Sequence, residues 1–159
     1  MAIRVALVGT GNCGSLALRQ LIEDARFELT GVWVSSPAKV GKDAGELARL
    51  EVTTGVAAVS DMDSIIGAQP DCVVYCAMGD VRLPEAMADV RRFLEAGIDV
   101  VGSAPGVLQY PWGVIPDKYI DRVEASARQG DSTVFITGVD PGFATDLLPF
   151  ALAGTCQSI

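Results

Sequence analysis

Gly9-Thr10-Gly11-Asn12-Cys13-Gly14 is a Gly-x-Gly-x-x-Gly hexapeptide, and it follows directly on Ile3-Arg4-Val5-Ala6-Leu7-Val8, a strand-forming run with a single charge. The order predicts a buried parallel strand over 3–8, a turn at the first glycine and a helix over about 13–23. The three glycines answer three separate needs. Gly9 permits the tight turn, Gly11 lets a pyrophosphate approach the backbone, and Gly14 lets the helix lie close to the strand. Unpaired N–H groups at the start of that helix favour an anion, so Gly9, Thr10, Gly11, Asn12, Cys13 and Gly14 are read together as a dinucleotide-binding loop.

The rest of the chain alternates strand and helix signals. Strands are expected at 27–34, weakly at 56–59, and at 71–77, 98–101 and 133–137. Helices are expected after Pro37, from a Ser60/Asp63 capping box to Ile66, from Pro84 to Gly97, and from Pro116 to Gln129 with a stop at Gly130. Leu16, Ala17, Leu21 and Ile22 are the expected inner face of the first helix. This pattern predicts an α/β, Rossmann-type, doubly wound fold, a mainly parallel sheet with helices on both faces. Residues 1–138 form the dinucleotide-binding domain, and 139–159 are expected to begin a substrate or dimerisation domain, because the strongly apolar stretch from Phe143 to Ala153 needs further protein to cover it.

Composition narrows the function. With 12 Lys+Arg against 20 Asp+Glu the net charge is −8, which disfavours nucleic acid and anionic membranes as partners. No apolar run reaches the roughly 20 residues of a spanning helix, and no signal peptide is evident, so a cytoplasmic location is expected. There is no histidine, which excludes a Ser-His or Cys-His nucleophile within these residues. The four cysteines lack Cys-x-x-Cys spacing, so neither a metal site nor a disulfide framework is expected; Cys72 and Cys76 are read as buried thiols.

The end of the second strand reads Ser35-Ser36, where an acid would otherwise hold the ribose 2′-hydroxyl of NAD. Hydroxyls there, with Lys39 and Lys42 following, favour NADP, with NAD also possible. Ala77, Met78 and Gly79 after the third main strand, and Ser103, Ala104 and Pro105 after the next, are the expected contacts of the nicotinamide half. Gln109, Tyr110, Asp140 and Phe143 are the substrate-side candidates. No catalytic residue is identified.

The stretches Val8-Gly9-Thr10-Gly11-Asn12-x-Gly14, Ser35-Ser36-Pro37-x-Lys39-Val40-Gly41-x-Asp43-Ala44-Gly45-Glu46, Tyr110-Pro111-Trp112 and Gly138-Val139-Asp140-Pro141-Gly142-Phe143 together resemble the dihydrodipicolinate reductase N-terminal-domain family. Within it they are most similar to the branch of diaminopentanoate dehydrogenase and the bacterial NAD(P)-dependent amine dehydrogenases. The resemblance implies an NADP(H)-preferring oxidoreductase acting on a C=N or C–NH2 group, by imine reduction or amine dehydrogenation. Its partners would be a small carbonyl, imine or amine substrate and, at full length, a second copy of itself. The branch also implies a carboxylate just before the Tyr-Pro pair, and 103–109 contains no Asp or Glu. The competing expectation is a non-catalytic dinucleotide-binding or redox-sensing module, since one such fold hosts many functions.

Overall fold

A computed structural model describes residues 2–157. Five parallel strands, β1 (Ile3–Val8), β2 (Phe27–Trp33), β3 (Cys72–Tyr75), β4 (Asp99–Gly102) and β5 (Val134–Ile136), form one sheet in the order β2-β1-β3-β4-β5. The helices are α1 (Asn12–Glu23), α2 (Ala44–Leu47), α3 (Met62–Gly67), α4 (Leu83–Glu95), α5 (Asp117–Gly130) and α6 (Leu148–Ala153). The fold is a doubly wound α/β sheet of Rossmann type. Its winding reverses between β1 and β3, the place where such sheets open a crevice at the carboxyl ends of their strands.

Alternation along β1 distributes two cores. Val5 and Leu7 point to one face, where they pack with Leu18 and Leu21 of α1 and Ala44 of α2. Ala6 and Val8 point to the other, among Ile65 of α3, Val90, Phe93 and Leu94 of α4 and Val123 of α5. Burial on both faces is why the strand is apolar throughout rather than alternating.

Several expectations shift. The buried stripe of α1 is Gly14, Leu18 and Leu21, at helical spacing, whereas Leu16 is 71% exposed. Of the expected inner face, Leu21 is buried and Ala17 and Ile22 pack partly buried against the same core; only Leu16 falls outside it, and Leu18 takes its place. Residues 56–59 form no strand; they make only isolated bridges, Trp33 with Val59 and Asp43 with Ala57. The cap of α3 is Asp61 rather than Ser60, its carboxylate accepting from the N–H groups of Asp63 and Ser64. Gly130 stays inside α5, and Asp131, with φ 51°, takes the left-handed position that stops it. The apolar stretch over 143–153 lies on a π-type turn over Val139–Leu147 that runs into the short α6.

Asp43, the N-cap of α2, holds the β2-to-α2 connection in shape. Its carboxylate accepts from the N–H groups of Gly45 at 2.8 Å, Thr54 at 3.0 Å and Gly55 at 2.9 Å, and from the Thr54 hydroxyl. These donors, the Thr54 N–H foremost, hold the carboxyl below the ordinary aspartate range against the opposing effect of burial. A depressed folded-state value means the stabilisation is complete above the unfolded aspartate value of about 3.9 and fades as pH falls through the folded one. Asp43→Asn is therefore expected to lower the urea midpoint near neutral pH, with the gap to the parent shrinking in strongly acidic buffer. A gap independent of pH would refute the role given to the charge.

Candidate functional site

At the crevice between β1 and β3 lies an open groove of about 390 Å³. The loop after β1 forms its floor. Gly9 turns the chain with φ 97°, and a Cβ on Gly14 would stand 1.8 Å from the Gly9 carbonyl oxygen, so only glycine lets α1 start this close to β1. Gly11 is different. Its φ is an ordinary −74°, and a Cβ there would meet nothing within 4 Å, because it would project into open space above the loop. No side chain caps α1, and the first intrahelical bond is from Ser15 N–H to the Gly11 carbonyl. The N–H groups of Asn12, Cys13 and Gly14 thus have no intrahelical acceptor, and they lie at the positive end of a 12-residue helix.

The walls come from three other segments. Trp33, Ser35, Ser36 and Lys39 line one side, Cys76, Ala77, Met78 and Arg82 the other, and Ser103 the far end. Lys39 does not extend into solvent: its ammonium donates to the Thr10 carbonyl at 2.7 Å and to the Thr10 hydroxyl at 3.1 Å, joining the β2 connection to the glycine loop. Ser36 occupies the cap position of the short 3₁₀ turn Pro37–Lys39, yet its hydroxyl makes no capping bond. In a chain of net charge −8, this groove is lined, among the described residues, by two cations and no carboxylate. It has the room, the donors and the charge for a pyrophosphate-linked ligand.

Of the sequence-predicted contacts, Gly9, Thr10, Gly11, Asn12, Cys13, Ser35, Ser36, Lys39, Ala77, Met78 and Ser103 meet in this groove. Gly14, Gly79, Ala104 and Pro105 stand behind its surface. A Cβ on Gly79 would lie 2.8 Å from Pro105 Cα, so the loops after β3 and β4 touch there, and Asp80 fastens them by accepting from the Gly106 N–H at 2.9 Å. Three lining residues were not foreseen as contacts, Trp33, Cys76 and Arg82. Their signal was positional: Trp33 ends β2, Cys76 directly follows β3, and Arg82 closes the 3₁₀ turn Asp80–Arg82 beyond it. Cys76, expected as a buried thiol, is only partly covered and faces the groove. Burial above all raises its thiol, which keeps it protonated and poorly nucleophilic. Cys72 is likewise partly covered and raised by burial.

The substrate-side candidates lie apart from the groove. Gln109 borders a second cavity of about 380 Å³ beside β5, where its amide donates to the carboxylate of Asp146. Tyr110 is 68% exposed and stacks edge-on against Trp112, with ring centroids 5.4 Å apart. Asp140 and Phe143 lie exposed on the π-type turn.

The sequence family described as dihydrodipicolinate reductase, N-terminus, matches residues 3–103, which run from the start of β1 through β4. The chain belongs to this family. Among curated relatives, an amine dehydrogenase of Streptomyces virginiae is 42% identical over 157 residues, covering 99% of this chain and 43% of the relative. A 2,4-diaminopentanoate dehydrogenase of Acetoanaerobium sticklandii is 27% identical, covering 99% of this chain and 44% of the relative. The solved structure of an amine dehydrogenase from Mycobacterium smegmatis superposes with a TM-score of 0.85 at 26% identity, over 100% of this chain and 46% of that one. The chain therefore spans less than half the length of the relatives it matches. The matched residues 3–103 of the dihydrodipicolinate reductase N-terminus family include the glycine loop and the Ser-Pro-x-Lys-Val-Gly segment. No helix among the described residues is long and apolar enough to cross a membrane.

Proposed function

We propose that this chain is the dinucleotide-holding part of an NADP(H)-preferring oxidoreductase that reduces imines or dehydrogenates amines, with residues 139–159 beginning a substrate or dimerisation domain. The observation that carries the reading is the cation-lined, acid-free groove over the glycine loop of an otherwise acidic chain. The identity to an amine dehydrogenase supports the C–N chemistry.

In this reading the N–H groups of Asn12 and Cys13 hold the pyrophosphate, and Gly11 leaves it room. Ser35 and Ser36 face the ribose, and their hydroxyls can donate to a 2′-phosphate where a carboxylate would repel it. Lys39 fixes Thr10 and adds positive charge; Arg82 supplies a second cation from the opposite wall. Met78 and Ser103 border the nicotinamide end. When bound, the nicotinamide accepts or delivers a hydride at a C–N carbon, chemistry that belongs to the cofactor. The protein's share is to bind, orient and keep water away.

NADPH consumption by the full-length protein, supplied with a panel of ketones plus ammonia and with preformed cyclic imines, tests the activity. Absence of turnover with every member, alongside tight NADPH binding, would favour a non-catalytic module instead. The ribose reading has its own test. Ser36→Asp is expected to weaken NADP by about 1–3 kcal/mol and to leave or improve NAD, because a carboxylate repels the 2′-phosphate and accepts from a free 2′-hydroxyl. Lys39→Ala, which frees the loop under both dinucleotides, is expected to weaken both. A ratio of NADPH to NADH dissociation constants unchanged by Ser36→Asp would remove the basis for NADP preference.

A further inference from the structure

We infer that the cavity beside β5 is a binding site for a primary ammonium group, with Asp146 as its counter-charge and an apolar wall for the attached chain. This deepens the amine chemistry proposed above and rests on it.

Asp146 and Gln109 come from different segments, the π-type turn after β5 and the 3₁₀ turn Gly106–Gln109 after β4, and their side chains meet through the bond from the Gln109 amide. That bond leaves the carboxylate with acceptor sites to spare, since an ionised carboxylate offers about four lone-pair positions. Among the described residues Asp146 has no cationic partner, although it is only partly exposed. Among the described residues it is also the one ionisable group lining the cavity, whose other walls include Leu108, Trp112, Phe135 and Leu147. One fixed negative charge beside aromatic and aliphatic surface suits an alkylammonium: the head forms a charge-assisted hydrogen bond, and the tail leaves water. A neutral alcohol of the same length gains only the second of these.

The site also stands close to the groove in the fold. Thr137, at the cavity edge, donates its N–H to the Gly102 carbonyl at 2.9 Å, and the next residue, Ser103, lines the dinucleotide groove. Adjacent strands thus carry the two sites at the same end of the sheet.

Calorimetry on the full-length protein, with and without dinucleotide, can compare n-pentylammonium with 1-pentanol near neutral pH, where the amine is protonated. The parent is expected to prefer the ammonium, and Asp146→Asn to weaken it roughly tenfold or more while leaving pentanol unchanged. Asparagine still accepts from Gln109, so this variant removes charge without removing the bond that holds the segment. Trp112→Ala, at a half-exposed loop residue, is expected to weaken pentylammonium more than methylammonium. Equal ammonium affinity in parent and Asp146→Asn, or pentanol matching pentylammonium in the parent, would overturn the site. Dinucleotide affinity measured on the same samples reads the earlier proposal alone: ammonium binding absent with dinucleotide binding intact sinks only the Asp146 site, and the converse sinks only the dinucleotide reading.

Discussion

Gly11→Val is expected to reduce dinucleotide affinity by on the order of a hundredfold or more, about 3 kcal/mol, while the protein remains folded. The two halves of that result have separate causes. The fold survives because a side chain at Gly11 meets no protein atom within 4 Å and φ is ordinary there. Binding fails because the free space above Gly11 is where the phosphates must approach the N–H groups of α1, and two γ-methyl groups would fill it. Calorimetry with NADPH, together with a thermal melt of the same sample, reads both. Undiminished binding would mean the loop is only a turn.

Gly14→Ala should do the opposite. Its Cβ would stand 1.8 Å from the Gly9 carbonyl oxygen and 3.3 Å from Cys76 Cβ, and the first of these is backbone that cannot rotate aside. Helix α1 would have to move off the sheet, breaking the contacts of Leu18 and Leu21 with Val5 and Leu7. We expect a loss of stability of about 3 kcal/mol or more, at or above the usual range for overpacking. Urea denaturation measures it; a change below about 1 kcal/mol would show that the helix adjusts, and that the third glycine is not a packing requirement. A single motif thus holds a binding glycine, Gly11, and a structural one, Gly14, three positions apart.

The strands of this fold were readable because continuous apolar runs bounded by glycine and proline leave few alternatives, and β1 was found at its expected bounds. What sequence could not supply was phase and partnership. Leu16 and Leu18 are equally apolar, and it is Leu18, four residues after Gly14 and three before Leu21, that shares the buried stripe. The Val56-to-Val59 segment has strand composition, yet its backbone bonds are shared between the 41–44 loop and the edge of β2, so it makes isolated bridges and no sixth strand. At the site, the glycine loop and Ser35-Ser36 were legible as motifs. Lys39 was legible as a charge but not as a bond to Thr10, and Asp146 was not legible at all, because its meeting with Gln109 joins residues 37 positions apart. Trp33 and Arg82 required knowing where the sheet reverses.

The bond between Lys39 and Thr10 bears on how fast and how tightly a ligand is taken up. A free lysine side chain gives up about 1.5–2 kcal/mol of rotational freedom when it is immobilised. Here the protein itself anchors the ammonium, on the Thr10 carbonyl at 2.7 Å, so a ligand need not arrest it. An arriving anion meets a stationary field instead of a fluctuating one, and the entropic penalty of complex formation falls accordingly. Cutting the tether would then make binding more enthalpy-driven and weaker, even with every phosphate contact still in place.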